Sequence, residues 1–365
     1  MHRPWLPLLL AAVSAWPALP AHANHESAST ILNQFRALSP RLHVLKPAPA
    51  VRALPVSTDE AARLRINADA QAMVAKNFSV VVIDKGELLA EAYGHGATAE
   101  SALNSYSMAK SLTALAVGEA LCAGKIKSLD DKAASYVPAL EGTAYGAASI
   151  RHLLSYTSGA KDPGGNGYSG IHHVPDMLAV TNHRLSLLDL ALRHGQSSSF
   201  KPGEKFIYNG LDSETLSLVL RAATGMSLPK WFETTVWHKA GAQYPAGWYM
   251  DREGNGIGEM LVLATTRDYA RVGVYVLERL TNASADSCMN DFMKEAARPL
   301  IAKGYWDSAP QFGLGLHVGA DGNTWFFGHS AQRVGINVKT GRVVATNGFS
   351  EWPGTDALAR RLLNP

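Results

Sequence analysis

The chain has 365 residues, of which 47% are hydrophobic and 18% are charged, and its formal net charge is +3. This is the composition of an ordinary globular protein, long enough for one large domain or two intertwined ones. No block of five or more like charges occurs, so nothing indicates a nucleic acid or an anionic membrane as a partner.

The chain begins with MHRPWLPLLLAAVSAWPALPAHA, which has the pattern of a secretory signal peptide. Arg3 forms a short basic region, an apolar run follows, and Ala21-His22-Ala23 fits a cleavage site. The apolar run is broken by prolines and is short for a membrane span. We therefore expect cleavage after Ala23, a periplasmic or secreted protein, and no stable membrane insertion. An uncleaved anchor is the alternative.

Residues 24–56 are predicted to form an N-terminal extension, because KPAPAVRALP is Pro-rich and favours extended backbone. The main domain is expected over residues 57–365. Ser57 and Glu60 are spaced as a capping box before the helical run DEAARLRINADAQAMVAKN. The next segment, FSVVVIDKGELLAEAYG, predicts a β-hairpin around Asp84-Lys85-Gly86.

From about residue 107 to 300 the patterns are mostly helical. Strands return in QFGLGLHV, NTWFFGHSAQRVGINV and RVVATNGF, and a helix in TDALARRLLN follows. The predicted fold is α/β, more closely α+β. One antiparallel sheet is built from both chain ends, about residues 77–106 and 310–350, and is flanked by helices around a mostly helical inserted region.

Cys122 and Cys288 are the two cysteines. An exported protein could pair them, but two cysteines do not define a disulfide framework, and we favour two buried free thiols. Neither has a histidine at metal-ligand spacing, and the chain has no CxxC motif. The sequence therefore predicts no metal and no cofactor.

Ser107 and Lys110 stand at the start of SMAKSLTALAVGEAL, a long apolar helical run. Residues three apart share one helix face, so the two side chains can be neighbours. A serine hydroxyl needs a base to attack a carbonyl, and burial lowers the pKa of a lysine so that it can accept the proton. The helix N-terminus offers N–H groups to an oxyanion.

The same Ser-x-x-Lys spacing also occurs at Ser158, Ser198 and Ser227. Spacing alone therefore leaves an ordinary N-cap with an outward-reaching lysine as the alternative at Ser107.

Longer segments add context in one register over about residues 60–350. They are SMAKSLTALAVGEALCAGKIKSLDDKAASYVPAL, IRHLLSYTSGA and KPGEKFIYNGLDSETLSLVLRAATG. In this order they resemble the nucleophile segment, the LLTHTSG stretch and the second active-site segment of the serine β-lactamase and penicillin-binding superfamily. The similarity is to its class C-like branch, which includes class C β-lactamases, D-alanyl-D-alanine carboxypeptidases, esterases and 6-aminohexanoate-dimer hydrolases. The resemblance implies a β-lactamase-like fold.

The resemblance also implies roles. Ser107 is the nucleophile, and Lys110 and Tyr208 share its proton, which Tyr208 passes to the leaving group before water hydrolyses the acyl-enzyme. The oxyanion hole is the backbone N–H of Ser107 and that of Gln332. The alternative for Tyr208 is a half-buried tyrosine packed below a loop.

The register places His329-Ser330-Ala331 at the substrate-binding K-T-G motif of these enzymes, with histidine for lysine and Ala331 for the usual glycine. His329 could bind a substrate carboxylate; a strand-end histidine is the alternative. Val338-Lys339-Thr340-Gly341 spells K-T-G but falls in a predicted hairpin turn. Gly328 to Gln332 imitates the α/β-hydrolase nucleophile elbow, but strands follow it where that fold needs a helix.

Gly210 occupies the substrate-binding position where class C β-lactamases carry an asparagine, two residues after the tyrosine. Its identity weakens a β-lactamase assignment. The predicted function is a serine hydrolase that cleaves an amide or ester bond of a small molecule through an acyl-enzyme, and a peptidoglycan-derived compound is one candidate substrate. The alternatives are a D-alanyl-D-alanine carboxypeptidase or weak β-lactamase, and a non-catalytic penicillin-binding-like protein that binds cell-wall fragments.

Overall fold

The computed structural model describes residues 42–161, 174–304, 308–349 and 354–364. The expected signal peptide and residues 24–41 of the expected extension lie outside these ranges. The strands are β1 Leu42–Leu45, β2 Asn77–Asp84, β3 Glu87–Tyr93, β4 Leu103–Asn104, β5 Ala246–Tyr249, β6 Val262–Ala264, β7 Ile301–Ala302, β8 Gln311–Phe312, β9 His317–Val318, β10 Thr324–Gly328, β11 Gln332–Asn337 and β12 Arg342–Gly348.

The α-helices within the same ranges are α1 Glu60–Val74, α2 Met108–Cys122, α3 Ala144–Ala147, α4 Ile150–Leu154, α5 Val174–Thr181, α6 Leu187–His194, α7 Gly210–Thr224, α8 Leu228–Phe232, α9 His238–Ala240, α10 Thr266–Leu280, α11 Ser287–Ala296 and α12 Thr355–Leu363. Short 3₁₀ turns cover Ala133–Ser135 and Pro138–Leu140, and a π-helical turn covers Glu233–Trp237. No helix in the described part of the chain is long and apolar enough to span a bilayer.

An eight-stranded antiparallel sheet, in the order β3-β2-β12-β11-β10-β9-β8-β7, joins the two ends of the chain. The predicted hairpin is confirmed: β2 and β3 pair directly, and Lys85 and Gly86 turn with positive φ between them. Val82 then lies opposite Val344 in the β2–β12 pair. The predicted fold class is therefore confirmed.

Both faces of the sheet are buried. Val80, Val82 and Val344 face the cluster that contains Leu358 and Leu362 of α12. Val81, Ile83 and Val343 face the larger cluster that includes α2 and α10. Because successive side chains of a strand point to opposite faces, a strand covered on both sides reads as a continuous apolar run, as β2 does.

A second sheet of four short strands, in the order β1-β5-β6-β4, was not predicted; β5 and β6 lie in the region expected to be helical. β1 comes from the extension and pairs with β5. β4 pairs with β6 and does not join the large sheet. The prediction that the large sheet includes residues 103–106 is therefore wrong. Strands of two to four residues carry too little alternation to be found by period.

The predicted capping box at Ser57 and Glu60 is wrong. Asp59 is the N-cap of α1, and its carboxylate accepts the Ala62 N–H at 2.8 Å. Ser57 Oγ accepts the Asp59 N–H instead. Aspartate is as good a cap as serine, so the helix begins two residues later.

The expectation of two free thiols is also wrong. Cys122, the last residue of α2, forms a disulfide with Cys288 in the first turn of α11. The two helices pack closely here: a side chain at Gly118 would meet the Phe292 ring at 2.4 Å. This contact is set by tertiary packing between residues far apart in sequence, which no local pattern reports.

Candidate active site

Ser107 is the N-cap residue of α2, but its hydroxyl makes no capping hydrogen bond. It accepts a hydrogen bond from Lys110 Nζ at 3.1 Å instead. The preceding residue, Tyr106, has a φ of +43°, a conformation that costs about 1–2 kcal/mol for a residue with a side chain. The chain is thus held in a strained turn that presents a half-buried serine at a helix start, as nucleophilic residues often are.

Lys110 is buried, with 3% of its surface exposed. Besides Ser107, its amine donates to the backbone carbonyl of Glu259 at 3.2 Å and to Glu259 Oε2 at 3.0 Å. The lysine does not reach outward as an N-cap neighbour would. The geometry brings Ser107 and Lys110 together in a solvent-excluded setting.

Glu259 is the residue at this site that sequence reasoning missed. Its side chain is fully buried and forms an ion pair with Lys110. The available signal is an isolated acid in the apolar run from Ile257 to Ala264, at the end of a Gly-rich loop. A buried acid in such a run needs a buried partner.

The ion pair corrects one expectation. Burial by itself lowers the pKa of Lys110, but Tyr208 and Glu259 act in the opposite direction, and the pKa is raised above its ordinary value. The amine is therefore held in its protonated form near pH 7. Sequence reasoning counted the apolar environment but not the carboxylate within it.

Glu214 of α7 supports the segment that carries Glu259. Its carboxylate accepts the Gly258 N–H at 2.7 Å and the Glu259 N–H at 3.3 Å. Burial and the neighbouring Glu259 raise the pKa of Glu214 well above its ordinary value. Glu259 is the acid that contacts the Lys110 amine, while Glu214 holds the backbone next to it.

Tyr208 is buried immediately before α7, with 8% of its surface exposed. Its ring centroid lies 5.0 Å from Lys110 Nζ, so the ammonium faces the aromatic ring. Asn209 forms the N-cap of α7, accepting the Leu211 N–H and donating to Tyr145 Oη at 2.9 Å. Tyr208 also packs in a buried aromatic cluster with Tyr156, Phe206 and Phe312, so it lies both in a packed core and beside Lys110.

His329, Ser330 and Ala331 form the tight turn between β10 and β11. Ser330 and Ala331 both have positive φ, and His329 is exposed, with its ring 5.8 Å from that of Tyr106. A side chain at Gly328 would lie 2.3 Å from the Ser105 carbonyl oxygen, so the turn can approach the Ser107 loop only because residue 328 is glycine.

Gln332 is the first residue of β11, and hydrogen bonds of its side-chain amide fix its position. Its Nε2 donates to the carbonyls of Ser330 and Gly348, both at 2.8 Å, and its Oε1 accepts from Asn347 Nδ2 at 2.7 Å. The Asn347 amide also donates to the Asn104 carbonyl at 3.4 Å. This network ties the start of β11 to the loop before Ser107.

The two imitating motifs carry no such surroundings. Lys339 is exposed in the turn between β11 and β12, as predicted. Ser330 is followed by strand β11 and not by a helix. Of the other Ser-x-x-Lys pairs, Ser227 begins α8 without a capping bond, and Lys230 is exposed.

The large aromatic side chains of Trp248 and Trp325 belong to the core, since both are at most 2% exposed. No group of metal-ligating side chains is found among the described residues.

Comparisons with known proteins identify the family of the chain. A family model described as Beta-lactamase matches residues 66–363. Penicillin-binding protein 4* of Bacillus subtilis (strain 168) is 30% identical over 136 residues, which are 37% of this chain and 28% of that protein. The chain therefore matches less than a third of the length of this curated relative.

Solved structures share the fold at low identity. A candidate 6-aminohexanoate-dimer hydrolase from Bacillus anthracis superposes with a TM-score of 0.72 at 18% identity, covering 88% of this chain and 89% of its own. The hydrolase EstCE1, described as having promiscuous acyltransferase activity, gives 0.67 at 16% identity, with coverages of 84% and 99%. A D-stereospecific amidohydrolase from Streptomyces sp. gives 0.60 at 18% identity, with coverages of 84% and 98%.

Proposed function

Because the chain belongs to the Beta-lactamase family, a family of serine hydrolases, we propose that it cleaves an amide or ester bond through an acyl-enzyme on Ser107. The observation that carries the proposal is the 3.1 Å hydrogen bond from Lys110 Nζ to a Ser107 hydroxyl that caps no helix. A serine used only as a cap would bind the N–H groups of its own helix.

The proposed reaction follows from these positions. Ser107 attacks the carbonyl and loses its proton to the Lys110–Tyr208 pair, and Tyr208 returns a proton to the leaving group. The backbone N–H groups of Ser107 and Gln332 would bind the oxyanion, which the anchoring of Gln332 supports. Water then hydrolyses the ester to Ser107.

Gly210 bears on the substrate. It offers no side-chain amide, where class C β-lactamases use an asparagine beside the lysine and the substrate amide. This favours small-molecule amides or esters over β-lactams. His329, exposed on the turn between β10 and β11, would contact a substrate carboxylate. A D-alanyl-D-alanine carboxypeptidase, acting on a peptidoglycan-derived peptide, is the second candidate. The substrate of such an enzyme also carries a carboxylate that would lie at this turn.

The proposed location is the periplasm or the cell exterior. The signal-peptide pattern of residues 1–23 supports export, and the Cys122–Cys288 disulfide is the kind of bond that persists in oxidising compartments.

The test is covalent labelling. A fluorophosphonate should phosphonylate the wild-type protein once per chain, and a p-nitrophenyl ester should acylate it once per chain. Ser107→Ala should abolish both the label and the hydrolysis. Ser227→Ala is the matched control, since it removes the serine of another Ser-x-x-Lys helix start and should leave both unchanged. A Ser107→Ala protein that keeps more than a few per cent of the activity would contradict the proposal. Absence of labelling in the wild type would favour a non-catalytic binding protein.

A further inference from the structure

Gly210 is required for space and not for backbone conformation. It is not among the glycines with positive φ, and as the first residue of α7 it has helical backbone. A Cβ atom at this position would lie 1.8 Å from Glu259 Oε2 and 2.4 Å from its Cδ. A side chain at residue 210 and the carboxylate of Glu259 therefore exclude each other.

The Glu259 carboxylate lies between residue 210 and the Lys110 amine. A side chain at residue 210 would have to occupy the same space to contact Lys110. Tyr208 lies two residues before it, and the Lys110 amine is 3.0 Å from the Glu259 carboxylate. Residue 259 also gives its backbone carbonyl to the same amine at 3.2 Å. One residue thus contacts Lys110 twice, while the same amine donates to Ser107.

We infer that Glu259 is a positioning residue that takes the place of the side chain missing at residue 210 and holds the Lys110 amine on the Ser107 hydroxyl. The inference rests on the proposed nucleophilic role of Ser107. It assigns a function to a buried acid for which no local pattern of the sequence gives one. It also explains why residue 210 can be glycine in a site that still places its lysine.

The exchange of an amide for a carboxylate has a chemical consequence. An anion beside Lys110 stabilises its protonated form, so Lys110 acts as a held cation and Tyr208 becomes the acceptor of the Ser107 proton. The other titratable groups that face the pair are Glu214 on α7, and Tyr156 and His317 from neighbouring segments. Activity should then fall at the alkaline end when Lys110 loses its proton.

The first experiment removes only the charge. Glu259→Gln keeps the size and a hydrogen-bond acceptor, and acylation by a p-nitrophenyl ester, followed by stopped flow, should slow at least tenfold at pH 7. The alkaline limb of the acylation rate against pH should move at least one unit lower, because the amine is no longer held protonated. Asp212→Asn is the control: it replaces a second buried acid, which lies on α7 and accepts a hydrogen bond from Ser158, by its amide, and it should leave the alkaline limb in place.

The second experiment exchanges the two positions. Gly210→Asn alone should slow acylation at least tenfold, because the new side chain collides with Glu259. Glu259→Ala alone should slow it by a similar factor, because Lys110 loses its anchor. Gly210→Asn combined with Glu259→Ala should acylate at least tenfold faster than Glu259→Ala alone. A merely structural acid predicts no such recovery and no shift of the pH limb.

Circular dichroism and the melting temperature identify any variant that fails to fold, and Glu259→Gln, which preserves volume, then decides alone. Unchanged acylation and an unchanged alkaline limb in folded Glu259→Gln overturn the inference while wild-type labelling at Ser107 still stands. Loss of labelling at Ser107 itself, with the wild-type protein unreactive, would instead reject the proposed function.

Discussion

His329 is an exposed side chain on a turn in which the next two residues, Ser330 and Ala331, have positive φ. Its ring makes a T-shaped contact with that of Tyr106, the residue that precedes Ser107. The proposed function assigns it contact with the substrate, whereas Lys339, the lysine of the imitating K-T-G motif, lies in the turn between β11 and β12.

His329→Ala is expected to lower kcat/KM by roughly 10- to 1000-fold, a loss of about 1.4 to 4 kcal/mol of transition-state stabilisation. Lys339→Ala is the control and should change kcat/KM by less than about twofold, because an exposed turn lysine contacts no substrate. Steady-state hydrolysis of a p-nitrophenyl ester measures both. The opposite ranking would show that the register of β10 and β11 relative to the family is wrong.

Lys303 is a second buried lysine, with 5% of its surface exposed. Its Nζ lies 3.0 Å from His317 Nδ1. Burial, opposed in part by Asp356 and reinforced by Arg333, lowers the pKa of Lys303 to about 7. Burial and the nearby Lys303 also lower the pKa of His317 well below its ordinary value, so this histidine is neutral.

The depressed pKa of Lys303 predicts a pH dependence of stability. In the unfolded chain the lysine stays protonated to about pH 10, whereas in the folded protein it releases its proton near pH 7. The free energy of unfolding should therefore rise between pH 7 and 10, with a slope of up to about 1.4 kcal/mol per unit. Urea unfolding at pH 7, 8 and 9 measures it, and Lys303→Met should remove this part of the slope. Equal slopes in both proteins would contradict the assignment.

At the level of elements, the start of α7 connects the candidate site to a helix cap. Asn209 is the N-cap of the helix, Tyr208 precedes it and Gly210 follows it. The cap therefore sets the positions of both neighbouring residues. Asn209 is 1% exposed and bonds in two directions, to Leu211 and to Tyr145. Loss of this cap should disturb function as well as stability.

Asn209→Ala should lower the free energy of unfolding by about 1–2 kcal/mol and slow acylation. Asp59→Ala is the matched control, because it removes the cap of α1 far along the chain from the site and should cost about 1 kcal/mol with no change in acylation. Urea unfolding and stopped-flow acylation give the two quantities. Equal acylation rates in the two variants would show that the cap does not position Tyr208.

The elements also show what the sequence could and could not predict. The β2–β3 hairpin and the turn at Lys339 were predictable because turn residues separate long apolar strands. The proximity of Ser107, Lys110 and Tyr208 was predictable from motifs in one register, whereas their roles remain predictions. Glu259 was not, since its partner Lys110 is distant in sequence, and β4 to β6 were missed because each spans only two to four residues.

For the whole molecule, the Cys122–Cys288 disulfide closes a long loop, since its cysteines are 166 positions apart in the sequence. That loop contains α3 to α10, including Tyr208 and Glu259. Most of the inserted helical region is therefore tied to the helix that carries the nucleophile, at the end of α2 away from Ser107.

Cys288→Ser should lower the free energy of unfolding by about 2 to 5 kcal/mol. Cys122→Ser combined with Cys288→Ser should cost no more than the single change, because the bond is already lost. Folded protein of either variant should still acylate, as Ser107 lies at the opposite end of α2. Urea unfolding with and without reductant is the measurement, and a wild-type stability that reductant leaves unchanged would contradict a structural role for the bond.

The place of β12 between β2 and β11 has a consequence for the time course of biosynthesis. A ribosome adds roughly 5–20 residues per second, so roughly ten to forty seconds separate the emergence of Lys110 from that of Gln332. During that interval the nascent chain holds Ser107 without the strand proposed to complete the oxyanion hole. Under the proposed mechanism, hydrolysis can begin only after translation has passed β12, so a chain that is still being synthesised should not hydrolyse esters or amides.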